Sequence, residues 1–144
     1  MEDGWTEVTA AWKGELTFLG QNSSGGEVWM GPHQGNGGIG PMQLLLAAIA
    51  GCTGEDIVSI LRKKRIQLDD MQIRVRGKRA ADYPRIWTDI QITYLLWGKE
   101  ISPRDVEQAI QLSEEKYCSV GIMLQASARL TSTYRIYQPG ESAG

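Results

Sequence analysis

The sequence predicts a single α+β domain in which antiparallel sheets surround one long buried helix. Three observations support this prediction: short alternating strands come first, a long apolar segment follows a glycine-rich loop, and further strands flank two shorter helices. The predicted element order is β-β-β-α-β-β-α-α-β. We expect the domain to span residues 1–138 and residues 139–144 to form a flexible tail.

The first strands lie between Trp5 and Met30, with a clear turn at residues 22–26, NSSGG. The loop that follows, residues 31–40, reads GPHQGNGGIG. It is not a phosphate-binding loop, because no Gly-Lys-Ser/Thr follows it. It is either a connector or a mobile flap over the next helix, and His33 is its only side chain of a type common in catalysis.

The central helix is predicted over residues 40–65, GPMQLLLAAIAGCTGEDIVSILRKKR. Pro41 suits the first helical turn, and the wholly apolar run at residues 44–50 indicates burial. A membrane span needs about 20 apolar residues, whereas this run ends at Thr53, which favours a core helix. Because one chain of this size has few elements to cover such a helix, we expect a homodimer.

The second half of the chain predicts a hairpin, two helices and a last strand. Residues 71–75 and 86–97 alternate in polarity, and the turn at residues 82–85 joins them. Ser102-Pro103-Arg104-Asp105 predicts a helix start, and we expect that helix to end near residues 116–117. A short helix at residues 120–126 and a strand at residues 128–137 complete the fold.

The composition excludes several classes of function. A net charge of −2 and a pI near 5.4 argue against non-specific nucleic-acid binding. A single histidine excludes a multi-histidine metal site within one chain. No signal peptide is evident, and two cysteines suit a reducing compartment, so we expect a cytoplasmic protein without a membrane partner.

Two cysteines are the best functional candidates. Cys52 lies within the central helix between Gly51 and Gly54, and the two glycines suggest that another segment approaches the helix closely. Cys118 lies near the start of the short helix, where the helix dipole predicts a lowered thiol pKa. Spacing alone leaves two alternatives open: a pair of small buried side chains, or a reactive pair.

Four segments resemble the OsmC/Ohr family of osmotically induced and organic-hydroperoxide-resistance proteins. They are LTFLG (16–20), the central helix (40–65), PRIWTDIQITY (84–94) and SEEKYCSVGIMLQ (113–125). The pairing of A-G-C in the helix with K-Y-C-S-V is specific, and the similarity covers almost the whole chain.

The resemblance implies an intertwined homodimer with its active sites between subunits. It implies that Cys52 attacks an organic hydroperoxide and becomes a sulfenic acid, which Cys118 resolves as a disulfide. A dithiol reductant, often a lipoylated protein, would then restore the thiols, and neither a metal nor a flavin is needed. We therefore expect a cysteine-based peroxidase that acts in oxidative-stress defence.

Two departures from the family pattern keep an alternative open. Active members carry an arginine that pairs with the thiolate, but no arginine occurs between Lys13 and Arg62. Gln43 stands where a glutamate is usual, and glutamine cannot hold an arginine by charge. Gln43, Glu55 and His33 are the candidate supporting residues. The alternatives are a binding or redox-sensing dimer with weak or no peroxidase activity, and cysteines that only pack.

Overall fold

The computed structural model describes residues 4–31 and 37–144 and divides into two compact units, residues 1–45 and 46–144. His33 lies outside the described residues. The first unit contains a three-stranded antiparallel sheet in the order β1-β2-β3. Its strands are β1 (Val8–Trp12), β2 (Phe18–Asn22) and β3 (Glu27–Met30).

The predicted turn between β2 and β3 is confirmed. The side-chain oxygen Oδ1 of Asn22 accepts hydrogen bonds from the backbone N–H groups of Ser24, at 3.0 Å, and Gly26, at 2.7 Å. A side chain that satisfies two turn N–H groups fixes the turn locally, which is why the sequence signal was strong here.

The central helix, α1, runs from Pro41 to Lys63, close to the predicted bounds. Gln43 reaches back to the helix start, where its Oε1 accepts a hydrogen bond from the N–H of Gly40 at 2.8 Å. This is the glutamine form of a capping box. By length and composition α1 could also cross a membrane, a property that it shares with the core helices of globular proteins.

The second unit is built on a mixed sheet in the order β4-β5-β6. Its strands are β4 (Asp70–Arg79), β5 (Trp87–Trp97) and β6 (Arg129–Tyr137). β4 and β5 form the predicted antiparallel hairpin, but β5 and β6 run parallel, so the expectation of antiparallel sheets was wrong for this pair. The chain returns to β6 through helices, and such a crossover connection is what parallel neighbours require.

Three short helical segments form that crossover: α2 (Pro103–Leu112), a π-helical turn (Ser113–Tyr117) and α3 (Ser119–Leu124). α2 begins as predicted, because the hydroxyl of Ser102 accepts the N–H of Asp105 at 3.2 Å. The predicted single helix to residues 116–117 instead changes to the wider π-helical turn after Leu112.

α1 packs on the hydrophobic face of the second sheet. A Cβ added at Gly54 would lie 3.0 Å from Cδ1 of Ile73 on β4, so a glycine is needed for this close approach. On the opposite face of β4, Arg74 and Arg76 are exposed, as the alternation in the sequence predicts.

The other face of α1 is open in the single chain. Ala47, Gly51, Glu55 and Ser59, which recur at helical spacing, are exposed. A Cβ at Gly51 would meet nothing within 4 Å in the described part of the chain. An open groove of about 560 Å³ runs between this face and β4. We call it the α1/β4 groove; its lining includes Gly51, Gly54, Glu55, Met71 and Ile73.

The last residues contact β5. Nε1 of Trp97 donates a hydrogen bond to the carbonyl oxygen of Glu141 at 2.7 Å, and the Trp97 ring stacks on Tyr137 with centroids 5.1 Å apart. The tail therefore covers an aromatic pair at one end of the second sheet.

Candidate active site

The second unit brings the two cysteines together. Cys52, on α1, is half-buried, and Cys118, at the break between the π-helical turn and α3, is fully buried. Both are free thiols, and Cys52 lies near enough to Cys118 to act on the pKa of its thiol. The two residues that the sequence singled out therefore form one site, although 65 residues separate them along the chain.

The backbone around Cys118 fixes the position of its thiol. Its N–H donates to the carbonyl oxygen of Ser113 at 2.7 Å, and its Sγ accepts the N–H of Gly121 at 3.3 Å. A Cβ at Gly121 would lie 3.2 Å from Sγ and 3.5 Å from Cδ1 of Ile49 on α1. Residue 121 must therefore be small for α3 to hold Cys118 against the central helix.

Burial raises the pKa of the Cys118 thiol to about 12. The N–H of Gly121 opposes this rise, whereas the neighbouring Cys52 thiol and the charge of Asp56 add to it. The expectation of a lowered pKa was wrong, because loss of solvent around the thiol outweighs the N–H at the helix start. Cys118 therefore keeps its proton at neutral pH.

A hydrogen bond between side chains ties α1 to the π-helical turn. The hydroxyl of Ser113 donates to Oδ2 of Asp56 at 2.9 Å, and Ser113 is fully buried. Asp56 lies one helical turn after Cys52, while Ser113 carries the carbonyl that binds the N–H of Cys118. The Asp56–Ser113 bond thus connects the segments that carry the two thiols.

A second polar group lies beneath the thiols. The phenol of Tyr94, which is fully buried on β5, donates to Oε2 of Glu114 at 2.8 Å, and the hydroxyl of Ser132 donates to Oε1 at 3.1 Å. Burial, and next the charge of Glu114, raise the pKa of Tyr94 above its usual range. Tyr94 therefore remains a neutral donor that anchors the π-helical turn to the sheet.

The candidate supporting residues stand apart from this arrangement in different ways. The amide oxygen of Gln43 is bound to the N–H of Gly40. Glu55 is exposed and lines the α1/β4 groove. Within residues 4–31 and 37–144, no three or more His, Cys, Asp or Glu side chains are grouped so as to hold a metal ion.

Sequence reasoning missed Ser113, Glu114 and Tyr94. The alternation of β5 does place Tyr94 on the inward face, so its burial was foreseeable although its partner was not. The helical pattern placed Ser113 on the same stripe as Val106, Ala109 and Ile110 but gave it no partner, and it gave no reason to turn Glu114 inward as well.

Comparison with known proteins agrees with this architecture. A model of the family described as OsmC-like protein matches residues 33–133. Protein YhfA of Escherichia coli strain K12 is 35% identical over 130 residues, which cover 90% of this chain and 97% of YhfA.

Solved structures show the same fold. A hypothetical protein from Aquifex aeolicus VF5 matches with a TM-score of 0.84 and 38% identity over 96% of this chain and 98% of that one. The organic hydroperoxide resistance protein OhrB of Bacillus subtilis matches with a TM-score of 0.61 and 16% identity over 91% of this chain and 98% of that one.

The family match includes the central helix and the segment around Cys118, which are the parts of the chain that form the thiol pair. Relatives at more than 30% identity align with nearly its whole length. The chain therefore belongs to the OsmC-like protein family.

Proposed function

We propose that this protein is a thiol-dependent peroxidase that reduces organic hydroperoxides. One observation carries the proposal: two free thiols are neighbours in the fold, and one is half-buried while the other is fully buried. Cys52 is half-buried and can be reached by a substrate, whereas Cys118 is buried and holds its proton. Such asymmetry suits a nucleophile and a resolving thiol.

The reaction has two steps on this chain. The thiolate of Cys52 attacks the terminal oxygen of the hydroperoxide, the O–O bond breaks, and the alkoxide takes a proton to leave as an alcohol. Cys52 becomes a sulfenic acid. Cys118 then attacks that sulfur as a thiolate; the S–O bond breaks, the departing hydroxide takes up the proton that Cys118 gives up, and a disulfide and one water molecule form. A second thiol beside the sulfenic acid protects Cys52 from further oxidation.

An external dithiol must then reduce the disulfide by exchange. A reducing cytoplasm would supply such a dithiol. A lipoylated protein is the partner we propose. The substrate class rests on the family, one member of which is named as an organic hydroperoxide resistance protein. No step requires a metal or a flavin.

The test is a stopped-flow reaction of the reduced protein with one equivalent of cumene hydroperoxide, followed by intact mass with and without alkylation. The proposal expects rapid loss of both thiols and a mass lower by two hydrogens. Slow reaction with both thiols still open to alkylation would exclude it. Hydrogen peroxide is the control oxidant, and the proposed preference for organic hydroperoxides predicts that it reacts more slowly.

The second candidate function is a binding or redox-sensing protein with weak peroxidase activity. The observation that favours it is the environment of Cys118, where a carboxylate, that of Asp56, acts on the thiol. Gln43 also has a structural partner, Gly40. This candidate predicts slow reaction with peroxide and an oxidised pair that persists without turnover.

We further propose that the protein is a homodimer in which α1 meets its copy. The exposed face of α1 bears the small residues Ala47, Gly51 and Ser59 beside Glu55, and small residues let two helices approach closely. Gly51→Leu tests this proposal, because a side chain there meets nothing in the described single chain. The variant should fold and become monomeric in light scattering at equal concentration. A dimer that tolerates Gly51→Leu would place the interface elsewhere.

A further inference from the structure

Asp56 has no part in the proposed two-step reaction, although it links the two segments that carry the thiols. It is on α1, one turn after Cys52. Its Oδ2 accepts a hydrogen bond from Ser113 at 2.9 Å, and the carbonyl of Ser113 accepts the N–H of Cys118 at 2.7 Å. A continuous path of two hydrogen bonds therefore runs from α1 to the backbone of Cys118.

The surroundings make this path specific. Ser113 is fully buried, so its hydroxyl has no access to bulk water as an alternative partner. It also begins the π-helical turn, where the helix changes its geometry before Cys118. π-Helical turns are frequent at functional sites, where they re-aim a side chain.

The charge of Asp56 also reaches the thiol. It makes the anionic form of Cys118 less favourable, as does the neighbouring Cys52. From the sheet, Tyr94 faces Cys118 with a phenol that stays neutral and donates to Glu114. No cation is among the groups that act on Cys118 in the described part of the chain.

Asp56 is not sealed from the outside. It lines a cavity of about 360 Å³ together with Lys63, Lys64 and Tyr117. Of these, Lys64 forms an ion pair with Asp105, with Nζ 3.1 Å from Oδ1.

We propose that Asp56 is a positioning residue for the thiol pair: through Ser113 it holds Cys118 against Cys52, and its negative charge keeps the proton on Cys118. This rests on the proposed thiol chemistry, although it can be tested without any peroxide. The resting protein then holds the protonated Cys118 thiol beside Cys52.

Two variants separate the charge of Asp56 from its hydrogen bond. Asp56→Asn removes the charge but keeps an oxygen that can accept from Ser113, whereas Ser113→Ala removes the bond and keeps the charge. Glu115→Gln is the matched control, because it removes a carboxylate from the exposed side of the same π-helical turn. Thermal unfolding confirms that each variant is folded.

The charge is tested by alkylation of Cys118 with iodoacetamide between pH 7 and 11, in a Cys52→Ser background. Asp56→Asn should make Cys118 react about ten-fold faster near pH 9, as expected if its pKa falls by about one unit. Glu115→Gln and Ser113→Ala should keep the original rate at pH 9. An unchanged rate in Asp56→Asn would overturn the assignment of charge. Asp56→Glu, which retains the charge, should restore the original rate.

The hydrogen bond is tested with diamide, a small thiol oxidant, acting on chains that keep both cysteines. Ser113→Ala should slow formation of the internal disulfide by about ten-fold or more, because displacement of a reacting atom carries a large cost in rate. Normal disulfide formation in folded Ser113→Ala would overturn the positioning role. Neither assay depends on peroxidase activity, so failure of the proposed function and failure of this inference give different results.

Discussion

The two thiol-bearing regions of this protein are built in opposite ways. Cys52 is carried by a regular helix of 23 residues and remains half-buried. Cys118 is carried by an irregular junction, where the backbone of Ser113 and the N–H of Gly121 hold it in complete burial. The regular region offers access, and the irregular region offers fixed position and a retained proton. A reactive pair of cysteines needs both properties, and here each region supplies one.

The sharpest test of this comparison is to remove each thiol in turn. Cys52→Ser should reduce consumption of cumene hydroperoxide, with dithiothreitol as reductant, on the order of a thousand-fold or more. The physical reason is that the remaining thiol, Cys118, is buried and protonated.

Cys118→Ser is the partner experiment. It should still form one sulfenic acid per chain, trapped with dimedone, and should then stop. If Cys118→Ser abolished the first oxidation and Cys52→Ser did not, the assignment of the two roles would have to be reversed.

A smaller effect is expected from Gly121→Ala, which alters only the buried thiol. The added Cβ would lie 3.2 Å from Sγ of Cys118, so the thiol or the helix must shift. Disulfide formation should slow by about ten-fold, while the first oxidation of Cys52 keeps its rate. Alanine favours a helix more than glycine does, so a loss cannot come from helix propensity. If Gly121→Ala formed the disulfide at the wild-type rate, residue 121 would not position the thiol.

Tyr94→Phe tests the anchor beneath the irregular region. It removes a buried hydrogen bond to a carboxylate, and we expect the free energy of unfolding in urea to fall by about 1–3 kcal/mol. Tyr134→Phe is the matched control, because Tyr134 donates to Glu107 at 2.8 Å near the surface. The control should lose less stability. Equal losses would show that burial of the Tyr94–Glu114 bond adds nothing.

The smallest expected effect is the pH dependence that the proton on Cys118 gives to the free energy of unfolding. Its pKa is raised from 9.0 to about 12 by burial, so the folded state holds the proton more tightly than the unfolded chain. The resulting stabilisation is complete below pH 9 and is lost as the pH rises towards 12. The difference in urea midpoint between the wild type and Cys118→Ala, followed from pH 8 to pH 11, measures it. A constant difference would contradict the raised pKa.

The regular parts of the fold were predictable because their signals are local. The bounds of α1 differ from prediction by one or two residues, since its apolar pattern and its basic end both report on one continuous helix. The β4–β5 hairpin was equally clear, because alternation and a turn lie side by side. The direction of β6 was not predictable in this way, because alternation carries no information about which neighbour a strand joins.

The candidate site was predictable only in its reactive atoms. Resemblance to a family marked Cys52 and Cys118, but the bond between Asp56 and Ser113 joins residues 57 positions apart, beyond the reach of any pattern. The pKa of Cys118 depended on burial, which a helix-start argument does not measure. Local patterns find elements, whereas the electrostatics of a site require the packed neighbours.

The π-helical turn before Cys118 sets a condition on which sequences can share this pair. Each residue of an α-helix advances the chain by about 100°, so one residue gained or lost between Leu112 and Cys118 would swing the thiol around the helix axis. Both cysteines could then be present in a homologue while facing different directions. Inheritance of the pair is therefore a matter of angular phase, which depends on the length of this five-residue segment as well as on the two cysteines.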